Sequence, residues 1–271
     1  MIIIFSLGGF ILLLLIFGRI NLSIQFSKQV KELFAQSKDI SGQVFQSQQL
    51  VDLPEPVQRY FKHVLKEGQS YISYASLKHD GQFKTGLDKE WINIKGEQYF
   101  TTVKPGFIWK GVTSMFTARD LFIGDKGRLV VSLFSICTIL NAKGEKFNQG
   151  ELLRWLSENI WFPTNLLPGD RLKWVAIDSQ TARLNFDYHD ISLFLIASFN
   201  AIGEITQLET KRYLGEGGLE TWVIKLNNYK EFNGVLVPTY AEAIWKLADG
   251  EHSYAKFYVR KLVYNKPLKF E

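Results

Sequence analysis

The sequence predicts a mostly-β (α+β) protein. It has an N-terminal transmembrane helix, then a curved antiparallel β-sheet, a half-barrel gripping one inserted helix. Three observations carry this. The run from Ile2 to Phe17 holds no charge. From Leu77 to Tyr264 apolar and polar residues largely alternate, the period of a half-buried strand. Pairs such as Asn233-Gly234 and Asp249-Gly250 join these runs through connections too short for parallel strands.

Taken in order, residues 1–18 read as a membrane anchor. A helix of that length spans roughly 27 Å, near the ~30 Å hydrocarbon core. No basic stretch precedes the apolar run, and Gly18-Arg19-Ile20-Asn21 lacks the small residues of a cleavage site, so an uncleaved single-pass anchor is favoured over a signal peptide. Arg19, Lys28, Lys31 and Lys38 follow the run, and only the α-amine precedes it. The positive-inside rule therefore favours a cytoplasmic domain.

Residues 19–51 read as a juxtamembrane helix and linker, with a weak apolar stripe at Val30, Leu33 and Phe34. Residues 52–271 read as one domain, with helices near 54–65 and 149–161. Asp52 is a plausible cap for the first, and Pro54 and Pro56 suit its opening turn. Val57, Tyr60, Phe61, Val64 and Leu65 share one face at helical spacing. Asn148 and Glu151 suggest a capping box for the second, and Pro163 stops it. The other runs give about ten strands, and a sheet that wide curls.

Composition removes other classes. The chain has 271 residues, 32 Lys+Arg against 27 Asp+Glu, a formal charge of +5 and 14% aromatics, too aromatic for a disordered chain. Its mean hydropathy of −0.04 is too low for a polytopic membrane protein. The single Cys137 cannot form an internal disulfide. It sits in the apolar run Leu133–Leu140, which predicts a buried thiol. The lysines are dispersed among acids, so the charge does not indicate nucleic acid.

Catalytic signatures are absent: no phosphate-binding glycine loop, no H-E-x-x-H and no G-x-S-x-G. No metal site or cofactor is assigned. Asp187-Tyr188-His189-Asp190 holds ligand types but falls where a hairpin must turn. Glu151, Arg154 and Glu158 form the strongest polar group, on one helix face at i, i+3 and i+7. They suit a general acid/base pair or an anion clamp; they also suit a salt-bridge network tying helix to sheet, the reading their spacing favours. Trp109, Trp155, Trp161, Phe162 and Trp174 suit the wall of an apolar pocket for a lipid-like or hydrophobic small molecule, or ordinary core. The expected partners are thus a membrane and such a ligand. A membrane-surface enzyme and a protein-interaction module are the alternatives.

The strings LPEPVQRY (53–60), GELLRWLSE (150–158) with WFPT (161–164), and NGVLVPT (233–239) resemble an uncharacterised bacterial membrane-associated family. The layout is similar to the lipoprotein-carrier (LolA-like) half-barrels. That resemblance implies a concave sheet with a hydrophobic cavity and a lipid-like ligand.

Overall fold

The computed structural model describes the backbone of residues 2–271 and the side chains of residues 9 and 12–271. Helices α1 (Ile2–Ala35) and α2 (Glu55–Val64) precede six strands: β1 (Tyr74–Phe83), β2 (Ile92–Thr101), β3 (Gly106–Val112), β4 (Phe116–Ile123), β5 (Lys126–Leu133) and β6 (Cys137–Lys143). Helix α3 (Glu145–Glu158) follows, then short 3-10 turns at Asn159–Trp161 and Pro163–Leu166. Seven strands complete the chain: β7 (Leu172–Ala176), β8 (Thr181–Tyr188), β9 (Ile191–Phe199), β10 (Ile205–Tyr213), β11 (Leu219–Phe232), β12 (Val235–Leu247) and β13 (Gly250–Tyr264).

These strands make one 13-stranded antiparallel sheet, ordered β6-β5-β4-β3-β2-β1-β13-β12-β11-β10-β9-β8-β7. The first six step outward from the centre. The last seven step back until β13 pairs with β1. Strands β6 and β7 are the two edges, and α3 links them. It touches β3 to β6 on one wing and β9 and β10 on the other, so the sheet curls around it.

The concave face holds the main core. Leu152, Leu153, Trp155 and Leu156 of α3 pack among Phe100, Phe107, Phe122, Leu184 and Phe186. Helix α2 adds Val57, Tyr60, Phe61 and Val64, the face its spacing predicts. The convex face carries a second core. There Phe26, Val30, Leu33 and Phe34 of α1 lie on Tyr74, Tyr99, Ile108 and Leu121. Strand β3 is therefore buried on both faces over most of its length, and its alternation disappears.

Several expectations need correction. Residues 19–35 continue α1, as a juxtamembrane helix would, but they do not lead freely away from the domain: they dock its apolar stripe on the sheet. Helix α2 is capped at Pro54, not Asp52. Helix α3 begins at Glu145, one turn before Asn148. Asn148 instead accepts a hydrogen bond from the Gly127 N–H (2.8 Å), tying α3 to β5. Cys137 is exposed, because Leu133–Leu140 is broken by a turn into the edge strand β6. Among the described residues no helix is long and apolar enough to cross a membrane. The anchor expected over 1–18 falls mostly on side chains outside the described residues.

Candidate functional site

Helix α3 turns Glu151, Arg154 and Glu158 toward the floor of the concavity, where strands supply partners remote in sequence. Arg154 donates from Nη1 to Asp120 Oδ2 of β4 and from Nε to Glu158 Oε1 (3.0 Å). Gln98 of β2 donates to Glu158 Oε2 (2.6 Å). Arg212 of β10 donates to Glu151 Oε1 (3.1 Å). Both guanidiniums lie on aromatic faces: Arg154 over Phe107 and Trp109, Arg212 over Trp222. These are not the weak solvated pairs common on helix surfaces. Every member is largely withdrawn from water, and Glu151 is only 3% exposed.

Charge balance sets the protonation. Asp120, Glu151 and Glu158 face Arg154 and Arg212, three carboxyls against two guanidiniums. Burial, reinforced by the Asp120 carboxylate, pushes Glu151 up to about 8 against the pull of the two arginines. Glu151 therefore holds its proton at neutral pH. Glu151 Oε2 and Asp120 Oδ1 are both buried without another partner, and a protonated Glu151 has a hydrogen to offer the Asp120 carboxylate. Burial also raises Glu158, while Arg154 and Gln98 oppose it.

Beside this cluster His79 accepts a hydrogen bond from Trp109 Nε1 (2.8 Å) and packs against Phe257. Burial pushes its imidazole down to about 4, so it is neutral. The pair lies flat on the sheet because Gly96 and Gly111 leave room. A Cβ at Gly96 would fall 2.1 Å from His79 Nε2, and one at Gly111 would fall 2.2 Å from the Trp109 ring.

The aromatic candidates separate. Trp109 belongs to the polar cluster. Trp161 donates to Pro238 O (3.1 Å) and Trp174 to Leu166 O (2.9 Å), which fixes both in the core. Phe162 packs on Phe100 with centroids 4.9 Å apart. Trp155 lines a cleft. Its Nε1 donates to Thr101 O (2.9 Å), and its ring, with Phe186, Leu167, Leu172 and Ile72, lines a half-open space of about 250 Å³. Asp170 and Arg171 also border it and are exposed. Arg171 is fixed by donating to Val103 O (2.8 Å). The polar cluster does not line this cleft, and its charges are closed on one another.

Asp120, Gln98, Arg212 and His79 escaped sequence reasoning. Each left a trace in strand phase. Asp120 follows Ala118 and precedes Phe122 at alternate positions, and Arg212 follows Leu208 and Thr210. A charged residue in phase with inward apolar ones signals a buried polar site. Asp187 and His189 form no such site: Asp187 accepts from Ser192, and His189 occupies the turn at φ 50°. Among the described residues no group of three His, Cys, Asp or Glu is placed to hold a metal ion.

The architecture is thus a curled antiparallel sheet closed over an inserted helix. The chain belongs to a family of unknown function, DUF6544, which matches residues 43–257. No curated protein matches it. Among solved structures it is similar to a LolA superfamily protein from Nitrosomonas europaea, at 12% identity and TM-score 0.43, covering 78% of this chain and 92% of that one. It is also similar to a domain described as outer membrane lipoprotein-sorting from Vibrio parahaemolyticus, at 10% identity and TM-score 0.41, covering 73% and 87%.

Proposed function

We propose that this is a membrane-anchored binding protein whose cleft beside Trp155 receives one apolar chain or ring. The observation that carries the reading is the cleft itself: Trp155, Phe186, Leu167, Leu172 and Ile72 share its lining with Thr164 and Asn165, and the exposed Arg171 and Asp170 stand at its border. This is the arrangement that holds an amphiphile, apolar part inside and polar head at the rim. Its volume of about 250 Å³ is below the ~300–1,000 Å³ of drug-sized pockets, so it suits one chain rather than a whole diacyl lipid. The anchor rests on the uncharged run Ile2–Phe17, and the basic residues after it favour a cytoplasmic domain.

The test is to purify the full chain in detergent and compare organic extracts of the wild type and Leu172→Trp by mass spectrometry. Leu172 is buried at the cleft, and the larger ring is expected to fill it. An amphiphile present with the wild type and depleted at least tenfold in the variant supports the reading. Identical extracts from two folded proteins sink it.

A further inference from the structure

The run Leu133–Leu140 has the composition of a core strand and yet lies outside the core. Ile139 is 60% exposed, and Phe134, Ile136 and Leu140 nearly half. Met115, in the β3–β4 turn, is 57% exposed and sits beside them: Phe134 N donates to Met115 O (2.8 Å). Five large apolar side chains thus gather on one end of the sheet and its edge. The β5–β6 turn that presents them is itself unusual. Phe134 and Ser135 take φ of 49° and 64°, left-handed values that Asn and Gly adopt cheaply and Phe does not. A costly residue held outward at a strained turn points to a use for its exposure.

Helix α1 shows what lies there. A Cβ at Gly18 would fall 2.8 Å from Ser135 O and 2.9 Å from Ile136 Cγ1, so the helix crosses directly against this turn. Further along, a Cβ at Gly106, the start of β3, would meet Leu33 Cδ1 at 2.8 Å. Helix α1 therefore runs along β3 from its end to its start, and the residues before Gly18 continue past the sheet. The exposed Leu12, Leu13, Ile16 and Phe17 lie on that continuation. The turn thus sits level with the point where the apolar run stops.

We infer that the β3–β4 turn, the β5–β6 turn and strand β6 form a membrane-contacting surface, set into the interface of the bilayer from which α1 emerges. The inference rests on the anchor reading above. Phe134, Ile136 and Met115 supply apolar bulk at the depth where interfacial side chains bury their area. The surface also shields the free edge of β6, which otherwise invites pairing with another chain. The Trp155 cleft lies at the opposite end of β3, beside Val103, so its ligand reaches it from the aqueous side.

The native cysteine provides the probe, because Cys137 is exposed inside this surface. The full chain is reconstituted in phosphatidylcholine–phosphatidylglycerol vesicles with an environment-sensitive fluorophore on Cys137. Two comparison labels, in a Cys137→Ser background, sit at Leu13→Cys in the apolar run and at Lys126→Cys, the far end of β5. Shallow spin-labelled lipids are expected to quench the Cys137 label several-fold more than the Lys126→Cys label. Phe134→Asn is expected to weaken that quenching at least twofold with no loss of thermal stability, because Asn suits the left-handed turn. Quenching at Leu13→Cys but not at Cys137 overturns the surface and leaves the anchor standing. No quenching at either overturns both. A doubled mass with an unquenched Cys137 shows that a second copy covers β6, and that also overturns the inference.

Discussion

Two helices flank the same strands and hold them by opposite means. On the convex face α1 uses apolar and aromatic side chains, Phe26 against Tyr99 and Phe34 between Tyr74 and Tyr99. Its polar contacts stay at the margin, as where Arg119 reaches Gln25 and Gln29. On the concave face α3 places charges at the centre of its contact, with Arg154 enclosed by Asp120, Glu158, Phe107 and Trp109. Apolar contact is nearly non-directional and tolerates small shifts. A buried ion pair tolerates few, because each desolvated charge needs its partner in place. The convex face therefore supplies adhesion, and the concave face specifies where α3 must sit.

The largest difference is expected from Arg154→Ala. It leaves Asp120 and Glu158 buried without their cation, a loss of about 3–5 kcal/mol. Urea unfolding of the full chain in detergent measures it. The comparison sharpens with Arg154→Met combined with Asp120→Leu and Glu158→Leu. That set removes every charge of the triad and is expected to recover most of the loss. If the triple variant is as unstable as Arg154→Ala, packing volume rather than charge pairing governs this face.

The pH response should separate the faces next. Glu151 holds a proton in the folded protein up to about pH 8, while the unfolded carboxyl releases it near the ordinary value of 4.5. Between those values the folded state binds more protons, so stability falls as pH rises. The contribution is complete below about pH 4.5 and lost above about pH 8. Glu151→Gln keeps an acceptor for Arg212 and carries no charge. It is expected to flatten the decline in urea midpoint across this window and to raise stability above pH 8. An unchanged slope in the variant would place the titrating group elsewhere.

How legible each face was follows from the same contrast. Hairpins closed by Gly124-Asp125 and Asn233-Gly234 were readable, because left-handed backbone selects Gly, Asn and Asp, and the sequence shows them. The β5–β6 turn was not, because Phe134 and Ser135 occupy the same conformation without that chemistry. Strand β6 was consequently merged into a core run, and Cys137 with it. The α1 stripe of Val30, Leu33 and Phe34 was visible, but its acceptor was not. Tyr99 and Ile108 fall in the outward phase of β2 and β3, which reads as solvent-facing until a helix is found there. The spacing of Glu151, Arg154 and Glu158 announced a polar helix face. Their partners Asp120 and Arg212 come from opposite wings of the sheet, and only its curling brings them together.

The smallest effect is expected from Arg119→Ala on the convex face, and it completes the contrast because the same side-chain type is removed. Arg119 donates to two neutral amides, Gln29 at 3.0 Å and Gln25 at 3.3 Å, and the latter contact is exposed. Its removal leaves no buried charge, and water can replace the guanidinium at both acceptors. The expected cost is about 0.5–1.5 kcal/mol, the net worth of an ordinary hydrogen bond. Urea midpoints measured beside those of Arg154→Ala give the ratio directly. A cost for Arg119→Ala equal to that of Arg154→Ala would mean that α1 is also positioned by its polar contacts, and that its four apolar anchors are not sufficient to seat it.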